Sequence, residues 1–501
     1  MVSHDSTRCC TVQGSIAYSF FMQNDEIPVV NDPRTLKRNI EVTDVPTIDS
    51  EVRTVLRKLG EPITFFGEGP SERRERLLRF LQERPHTNIE FAEIEQTEDE
   101  SMASEDEDDD EEFYTPGSEE LEDARKKILK YSVDRAIARV NKEKEEAKTY
   151  DSFKVLKHRR YINGTLGDYE LNGTDVLKGN TRAISVVRAN CDDTVIACGS
   201  WDGNVYLLKR DEENLLSQKG KSGSGYHTEK VSALDWHPTD STILATGGAE
   251  GYVNLWRYNE DEIVKPQLKL KASERRVPKV AFHPSGHYLA STSFDQTWKF
   301  WDIEKELELV EQEGHSKEVY ACAIHPDGSL IATGDLDGVG RVWDLRSGRS
   351  IAVLNGHIQG LYSMDWSPNG QHLASASGDC SVKIWDMRKL TSVNVDTQLF
   401  SIPAHTKLVS EVRFFQNNSG PLAIAVTDEN DENPSTLNVA GTFLATSSYD
   451  GTVKLWSADN WINVSTLKGH NDKVMSCDIG KQGTYIVSCG WDRTVKTWCK
   501  L

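Results

Sequence analysis

Residues 373–385 read LASASGDCSVKIW, and this stretch decides the fold. Two short strand-like runs flank Gly378-Asp379, a pair suited to a tight turn, so the stretch reads as a β-hairpin ending on Trp385. The pattern recurs on both sides. Upstream lie LATGGAEGYVNLW (244–256), LASTSFDQTWKFW (289–301) and IATGDLDGVGRVW (331–343); downstream lie LATSSYDGTVKLW (444–456) and IVSCGWDRTVKTW (486–498). A seventh, degenerate copy, IACGSWDGNVYLL (196–208), has Leu208 where the others have Trp.

From Trp256 to Trp498 the successive spacings are 45, 42, 42, 71 and 42 residues. A fixed period of this length marks one supersecondary unit repeated, and a single four-stranded unit cannot bury its own faces. The copies must pack radially around a channel, which makes the fold mainly β and the architecture a seven-bladed propeller. The 71-residue interval exceeds the usual 42 by 29 residues, in FFQNNSGPLAIAVTDENDENPSTLNVAG (414–441). Its tip, Asp428 to Pro434, is polar and acidic, so a surface loop insertion in blade six is expected. The sequence stops three residues after Trp498, so the outer strand of blade seven is expected from DVLKGN at 175–180, which lines up with STLKGH at 465–470. Closing the ring this way removes an open edge.

Gly-His pairs at 314–315, 356–357 and 469–470 precede several hairpins. With the Asp-Gly turns and strand tryptophans they resemble the WD40 repeat, over residues 175–501. In that family a loop His, a Ser or Thr of the second strand, the turn Asp and the strand Trp form a hydrogen-bonded set. The resemblance places such sets at His357, Ser377, Asp379 and Trp385, and at His405, Ser448, Asp450 and Trp456. These His and Asp residues are read as structural, not catalytic. Glu250 takes the Asp place in blade two, blade three lacks the Gly-His, and Gly490 stands at the hydroxyl place in blade seven. Those three blades are therefore expected to rest more on apolar packing.

The N-terminal third is different in kind. Residues 1–40 show little periodicity and read as disordered. A helical module spans 41–85: Val52, Val55, Leu56 and Leu59 follow i, i+3, i+4, i+7 spacing up to Gly60 and Pro62, and a second helix after Pro70-Ser71 carries Leu77, Leu78 and Leu81. The apolar turn Ile63 to Gly67 would pack the two together. The runs LGEPITFFGE and ERRERL resemble the splicing factor motif of pre-mRNA splicing proteins. Arg57, Lys58, Arg73, Arg74, Arg76 and Arg79 crowd this module and form a candidate basic contact for phosphate or an acidic protein.

An acidic linker spans 93–123. Between Glu98 and Asp123 there are 15 acidic residues and no Lys or Arg, and they carry most of the formal charge of −21; without them the balance is −6. Such a block stays solvated. Ser104 and Ser118 precede acidic runs, as acidic-directed phosphorylation requires. A helix is expected over 119–149, with Leu121, Ala124, Ile128, Ala136, Ile137 and Val140 on one stripe, either docked on the propeller or awaiting a partner helix. KHRRY at 157–161 adds a basic patch.

The remainder is an ordinary, mildly acidic protein, which argues against a uniformly basic nucleic-acid binder. No run of 18 apolar residues and no secretory start occurs, so neither membrane span nor signal is expected. The nine cysteines show no zinc spacing and read as intracellular, mostly buried thiols. No nucleophile elbow, P-loop, zinc signature or dinucleotide fingerprint is present, so no enzyme, cofactor, metal or small-molecule substrate is expected.

A splicing factor motif, an acidic linker, a helix and a seven-bladed propeller together resemble the WD-repeat pre-mRNA-processing factor family of the U4/U6 small nuclear ribonucleoprotein, over most of residues 41–501. The resemblance implies a nuclear, non-catalytic scaffold of the U4/U6 and U4/U6·U5 particles, bound to other U4/U6 proteins close to the U4/U6 RNA. A WD40 substrate receptor of a ubiquitin ligase would need an adaptor-binding module in place of LGEPITFFGE, and a channel enzyme would need convergent carboxylates outside the structural sets.

In the WD40 pattern the residue before the turn Asp lies beside the Gly-His loops at the channel mouth. In blade order these residues are Trp201, Ala249, Phe294, Leu336, Gly378, Tyr449 and Trp491. Blades six, seven and one are neighbours, so Tyr449, Trp491 and Trp201 are expected to form an aromatic arc. With Phe294 they are the candidate partner-binding residues. The expected occupant is a segment of another U4/U6 protein or the chain's own N-terminal helix.

Overall fold

The computed structural model describes residues 49–59, 63, 69–83, 118–148, 150–211, 216–221, 226–258, 266–391, 397–417, 421–423 and 437–500. The chain divides into two compact units, 1–115 and 116–501. The first 40 residues, most of the acidic linker with Ser104, and the loop tip at 428–434 lie outside the described residues.

In the first unit, α1 (Asp49–Lys58) and α2 (Pro70–Glu83) pack through Val52, Val55, Leu56 and Leu77. In the second there are seven four-stranded antiparallel sheets; in six of them one repeat supplies all four strands in order from the channel outwards, and the seventh takes its outermost strand from ahead of the first blade. The innermost strands are Ile184–Ala189, Val231–Trp236, Val280–Phe282, Val319–Ile324, Leu361–Trp366, Val409–Phe414 and Val474–Ile479. Alternating residues from facing blades build the buried clusters between sheets. Leu373, Trp366 and Trp385, for example, share one cluster with Ala323, Ala332 and Val342 of the blade before. Leu208 is buried in the strand-Trp place of blade one.

The closing strand is β1 (Tyr169–Val176), paired with the last strand, Thr494–Lys500, from Tyr169 opposite Lys500 to Val176 opposite Thr494. This corrects the expected 175–180. DVLKGN straddles the end of β1 and a turn in which Asn180 N–H donates to the Leu177 carbonyl. The strand reaches further back because the last strand continues past Trp498 to Lys500 and needs partners for its whole length.

Two helices precede the closure. α3 (Glu119–Lys148) begins with Glu119, Glu120 and Glu122 in its first turn, so the last residues of the acidic stretch are helical, where the macrodipole favours them. α4 (Ser152–Gly167) was not foreseen; Asp151 caps it by accepting from the amides of Phe153 and Lys154. Both lie on the lower face, opposite the Gly-His loops. Arg139 of α3 pairs with Asp327 at 2.8 Å and donates to the Asn369 carbonyl at 2.9 Å, both in turns between first and second strands. His158 of α4 lies 2.8 Å from the Leu422 carbonyl, and Leu422 and Ala423 are buried. Part of the blade-six insertion is therefore core beneath α4, not surface loop. Among the described residues no helix is long and apolar enough to cross a membrane.

Candidate partner-binding site

Polar sets hold the upper ends of five blades. His357 Nδ1 lies 2.8 Å from Asp379, and its Nε2 lies 2.8 Å from Ser375 Oγ, to which Trp385 Nε1 also donates at 2.8 Å. The hydroxyl of this set is Ser375, not Ser377. Likewise Thr446, not Ser448, joins His405 and Trp456, each contact 2.8 or 3.0 Å. Ser377 and Ser448 share the strand side but sit two residues on, at the turn. There they accept from the amides of Asp379 and Asp450 and donate to the loop carbonyls of Gln359 and Leu408.

The same two-residue shift overturns the expectation for blade seven. Ser488, not Gly490, is the hydroxyl position, and His470, Asp492, Ser488 and Trp498 make a complete set. Blade two is also complete, Glu250 meeting His227 at 2.5 Å and Thr246 joining His227 and Trp256. Blade three keeps only the Trp301 to Ser291 bond of the expected set. Ser375→Ala should therefore cost about 2 kcal/mol, because a buried indole N–H and the His357 ring both lose their partner. Ser377→Ala should cost less, and paired urea midpoints decide between the two.

The upper-face positions are fixed through the backbone. In all seven blades the residue before the turn donates its N–H to a carbonyl just ahead of the innermost strand, as from Trp201 to Ala183, Tyr449 to Leu408 and Trp491 to Lys473. Side chains therefore fan out around the channel mouth. Trp201 and Trp491 meet edge to face at 5.3 Å. Lys473 Nζ sits 4.2 Å from the Trp491 ring and 5.2 Å from the Tyr449 ring, and Lys230 Nζ 4.1 Å from Trp201. These are cation–π distances. Tyr449, Trp491 and Trp201 thus form one run, Lys473 joining the first two and the ring contact the last two.

Phe294 lies on the other side of the mouth, and two rings absent from the sequence-based set connect it. Phe294 is 6.2 Å from Tyr320, which is 5.2 Å from Tyr362, with Arg276 over both Phe294 and Tyr320. Burial, with the Tyr320 and Tyr362 rings nearby, pushes the Tyr449 hydroxyl up to about 12. Tyr320 and Tyr362 occupy the second place of their innermost strands, where the register skips a residue between Val319 and Ala321 and between Leu361 and Ser363. A bulge re-aims its extra side chain. Equivalent skips put Ser185, Ser232, Ser410 and Met475 at the mouth in other blades. The result is an aromatic collar with Arg276, Lys230 and Lys473 set against its rings. α3 and α4 lie on the opposite face, so neither of them covers the collar.

The candidate basic contact on the first unit is not one surface. Arg73 is 4% exposed and pairs with Asp49 at 2.5 Å, clamping α2 to the start of α1. Arg76 donates to the Ile63 carbonyl at 3.2 Å. Arg57, Lys58 and Arg79 are exposed and Arg74 half-buried. Arg73→Glu should therefore unfold the helical pair, at a cost of about 3–5 kcal/mol, seen as rapid proteolysis within 49–83. Arg57→Glu with Arg79→Glu should leave it intact.

Comparison with known proteins follows the same division. The WD domain, G-beta repeat model matches 172–208, 223–257, 264–302, 307–344, 348–386, 435–457 and 461–499, and the pre-mRNA processing factor 4 (PRP4) like model matches 52–79. Over 455 residues the chain is 42% identical to the U4/U6 small nuclear ribonucleoprotein PRP4 of Saccharomyces cerevisiae, covering 91% of this chain and 90% of the yeast protein. The chain belongs to the PRP4 family. The PRP4-family protein of Homo sapiens, U4/U6 small nuclear ribonucleoprotein Prp4, is 36% identical over 208 residues, 40% of this chain and 36% of that one. An uncharacterized WD repeat-containing protein of Schizosaccharomyces pombe is 39% identical over 266 residues, 52% of this chain and 54% of that one. The PRP4-like match begins on Val52 and ends on Arg79, so it spans the α1–α2 pair that Arg73 and Asp49 clamp.

Proposed function

We propose that this chain is a non-catalytic scaffold of the U4/U6 and U4/U6·U5 small nuclear ribonucleoproteins in pre-mRNA splicing, working in the nucleus. The observation that carries the reading is 42% identity across 90% of the yeast U4/U6 protein, which includes both the helical pair and the propeller. A propeller places function on its loops and rims. The collar of Trp201, Trp491, Tyr449, Tyr362, Tyr320 and Phe294 offers rigid, half-buried rings of the type that anchor protein interfaces. Another protein of the U4/U6 particle, by this reading, seats a segment on it. The U4/U6 RNA lies close by, and Arg57, Lys58 and Arg79 offer it exposed cations.

The His and Asp pairs of the blades each close a hydrogen-bonded set with a strand Trp, which suits a structural role. Among the described residues no group of three or more His, Cys, Asp or Glu could hold a metal. Purification of the tagged chain from nuclear extract tests the reading. U4 and U6 RNA and U4/U6 proteins should co-purify in stoichiometric amount, and their absence would overturn it.

A further inference from the structure

α3 crosses the lower face without spending all its apolar surface there. Its docked line carries buried Ala124, Ile128 and Ser132, and Arg139 continues it into the ion pair with Asp327. A second line, Leu129, Val133, Ile137 and Val140, is 47%, 40%, 54% and 38% exposed. At 3.6 residues per turn it lies about a quarter-turn round the helix from the docked line. Leu129, Val133, Ala136 and Val140 are spaced four, three and four residues apart, the seam spacing of a helix that packs along another helix. One exposed aliphatic residue needs no account; a continuous stripe does.

Charge indicates what covers it. Between Ala124 and Lys142, α3 carries seven basic residues and a single acid, Asp134; its other acids gather at the two ends of the helix, where Glu122 pairs with Lys126 at 2.6 Å. Exposed Lys126, Lys130 and Lys144 line the edge of the stripe away from the docked line. A second copy of this chain laid antiparallel along the seam would set the exposed Lys126 of one against the exposed Lys144 of the other, like charge on like. A nucleic acid would meet the lysines but leave Val133 and Ile137 in water. An acidic, amphipathic helix satisfies both the stripe and its edge.

We propose that α3 docks such a helix from a partner protein, with Leu129, Val133, Ile137 and Val140 as the seam and partner Asp or Glu residues facing Lys126, Lys130 and Lys144. α3 is already held in place by Arg139, so little ordering cost falls on this side of the contact. The surface lies on the face opposite the collar, so the chain can hold two partners at once.

A photo-cross-linker placed at position 137 of the full chain, expressed in cells, tests this. The expected product is one cross-linked peptide with apolar residues at i, i+3, i+4 and i+7 and acidic residues beside them. Val133→Asp with Val140→Asp, made with the cross-linker in place, should cut its yield at least ten-fold. The melting temperature should not move, because both side chains are exposed. Cross-linking to RNA, to a second copy or to a segment without that pattern would overturn the proposal. So would a yield no higher than from position 351, an exposed site on an outer strand. If the splicing assignment were wrong, the parent protein of the peptide would change and its pattern would not, which keeps the two failures apart.

Discussion

Glu411→Ala should destabilise the propeller by about 3–5 kcal/mol, read as a large fall in its urea midpoint. Glu411 is 2% exposed on the innermost strand of blade six. It accepts from Arg188 of blade one, from Lys279 Nζ of blade three at 2.8 Å and from Ser476 of blade seven. Arg413 lies 3.8 Å away. One carboxylate thus balances cations from across the channel, and removing it takes from buried Arg188 and half-buried Lys279 the carboxylate to which both donate. Glu411→Gln keeps acceptors but not charge and should fall between wild type and Ala. An unmoved midpoint in the Ala variant would show that the network contributes little.

The same carboxylate sets the acid limit. Burial pushes the Glu411 carboxyl up, but Arg188, Lys279 and Arg413 outweigh it and hold the group well below its ordinary range. Asp492 is drawn down to about 2, its burial outweighed by hydrogen bonds from His470 and Thr494. A carboxylate depressed in the folded state contributes stability that is complete above its unfolded value, about 4, and is lost as pH falls towards the folded one. Circular dichroism should therefore show a stable fold down to about pH 4 and loss of it between about pH 4 and 2.

The blades were legible because their signals are local. Each hairpin carries its turn residues, alternation and Trp within thirteen positions, as at 373–385, and that is enough to fix strand order and count. Two kinds of feature were not. The hydroxyls Ser375 and Ser377 share one side of a strand by the two-residue period, so sequence spacing cannot choose between them; the choice depends on where Trp385 reaches across the sheet. Tyr320 and Tyr362 join the collar through bulges, and a bulge changes facing without leaving a fixed residue type behind. The basic module misled for a third reason. Six cations read alike in sequence, but Arg73 faces Asp49 from the adjoining helix, 24 residues away, and becomes core.

Trp201→Ala with Trp491→Ala should abolish binding of the partner segment at the collar, at least a hundred-fold in Kd, while the propeller keeps its fold. Both rings are half-buried and touch each other edge to face at 5.3 Å, so their loss opens a gap on the rim and not in a blade core. Neither indole N–H has an acceptor among the described residues, so truncation breaks no hydrogen bond described there and strands no acceptor. The backbone bonds that hold positions 201 and 491 to Ala183 and Lys473 remain. Stability should therefore fall by only a few degrees in melting temperature. Binding is another matter, because a buried aromatic anchor carries about 2 kcal/mol or more, and two adjacent anchors act on the same partner segment. Lys230 and Lys473 sit over these rings and provide a separate reading of the site. Lys230→Glu with Lys473→Glu keeps the rings, reverses the charge beside them, and should slow association most at low salt. Titration of the purified partner segment against all three proteins decides the matter. Full binding by the double Trp variant would place the interface elsewhere on the propeller, and loss of its melting transition would show the rings to be core.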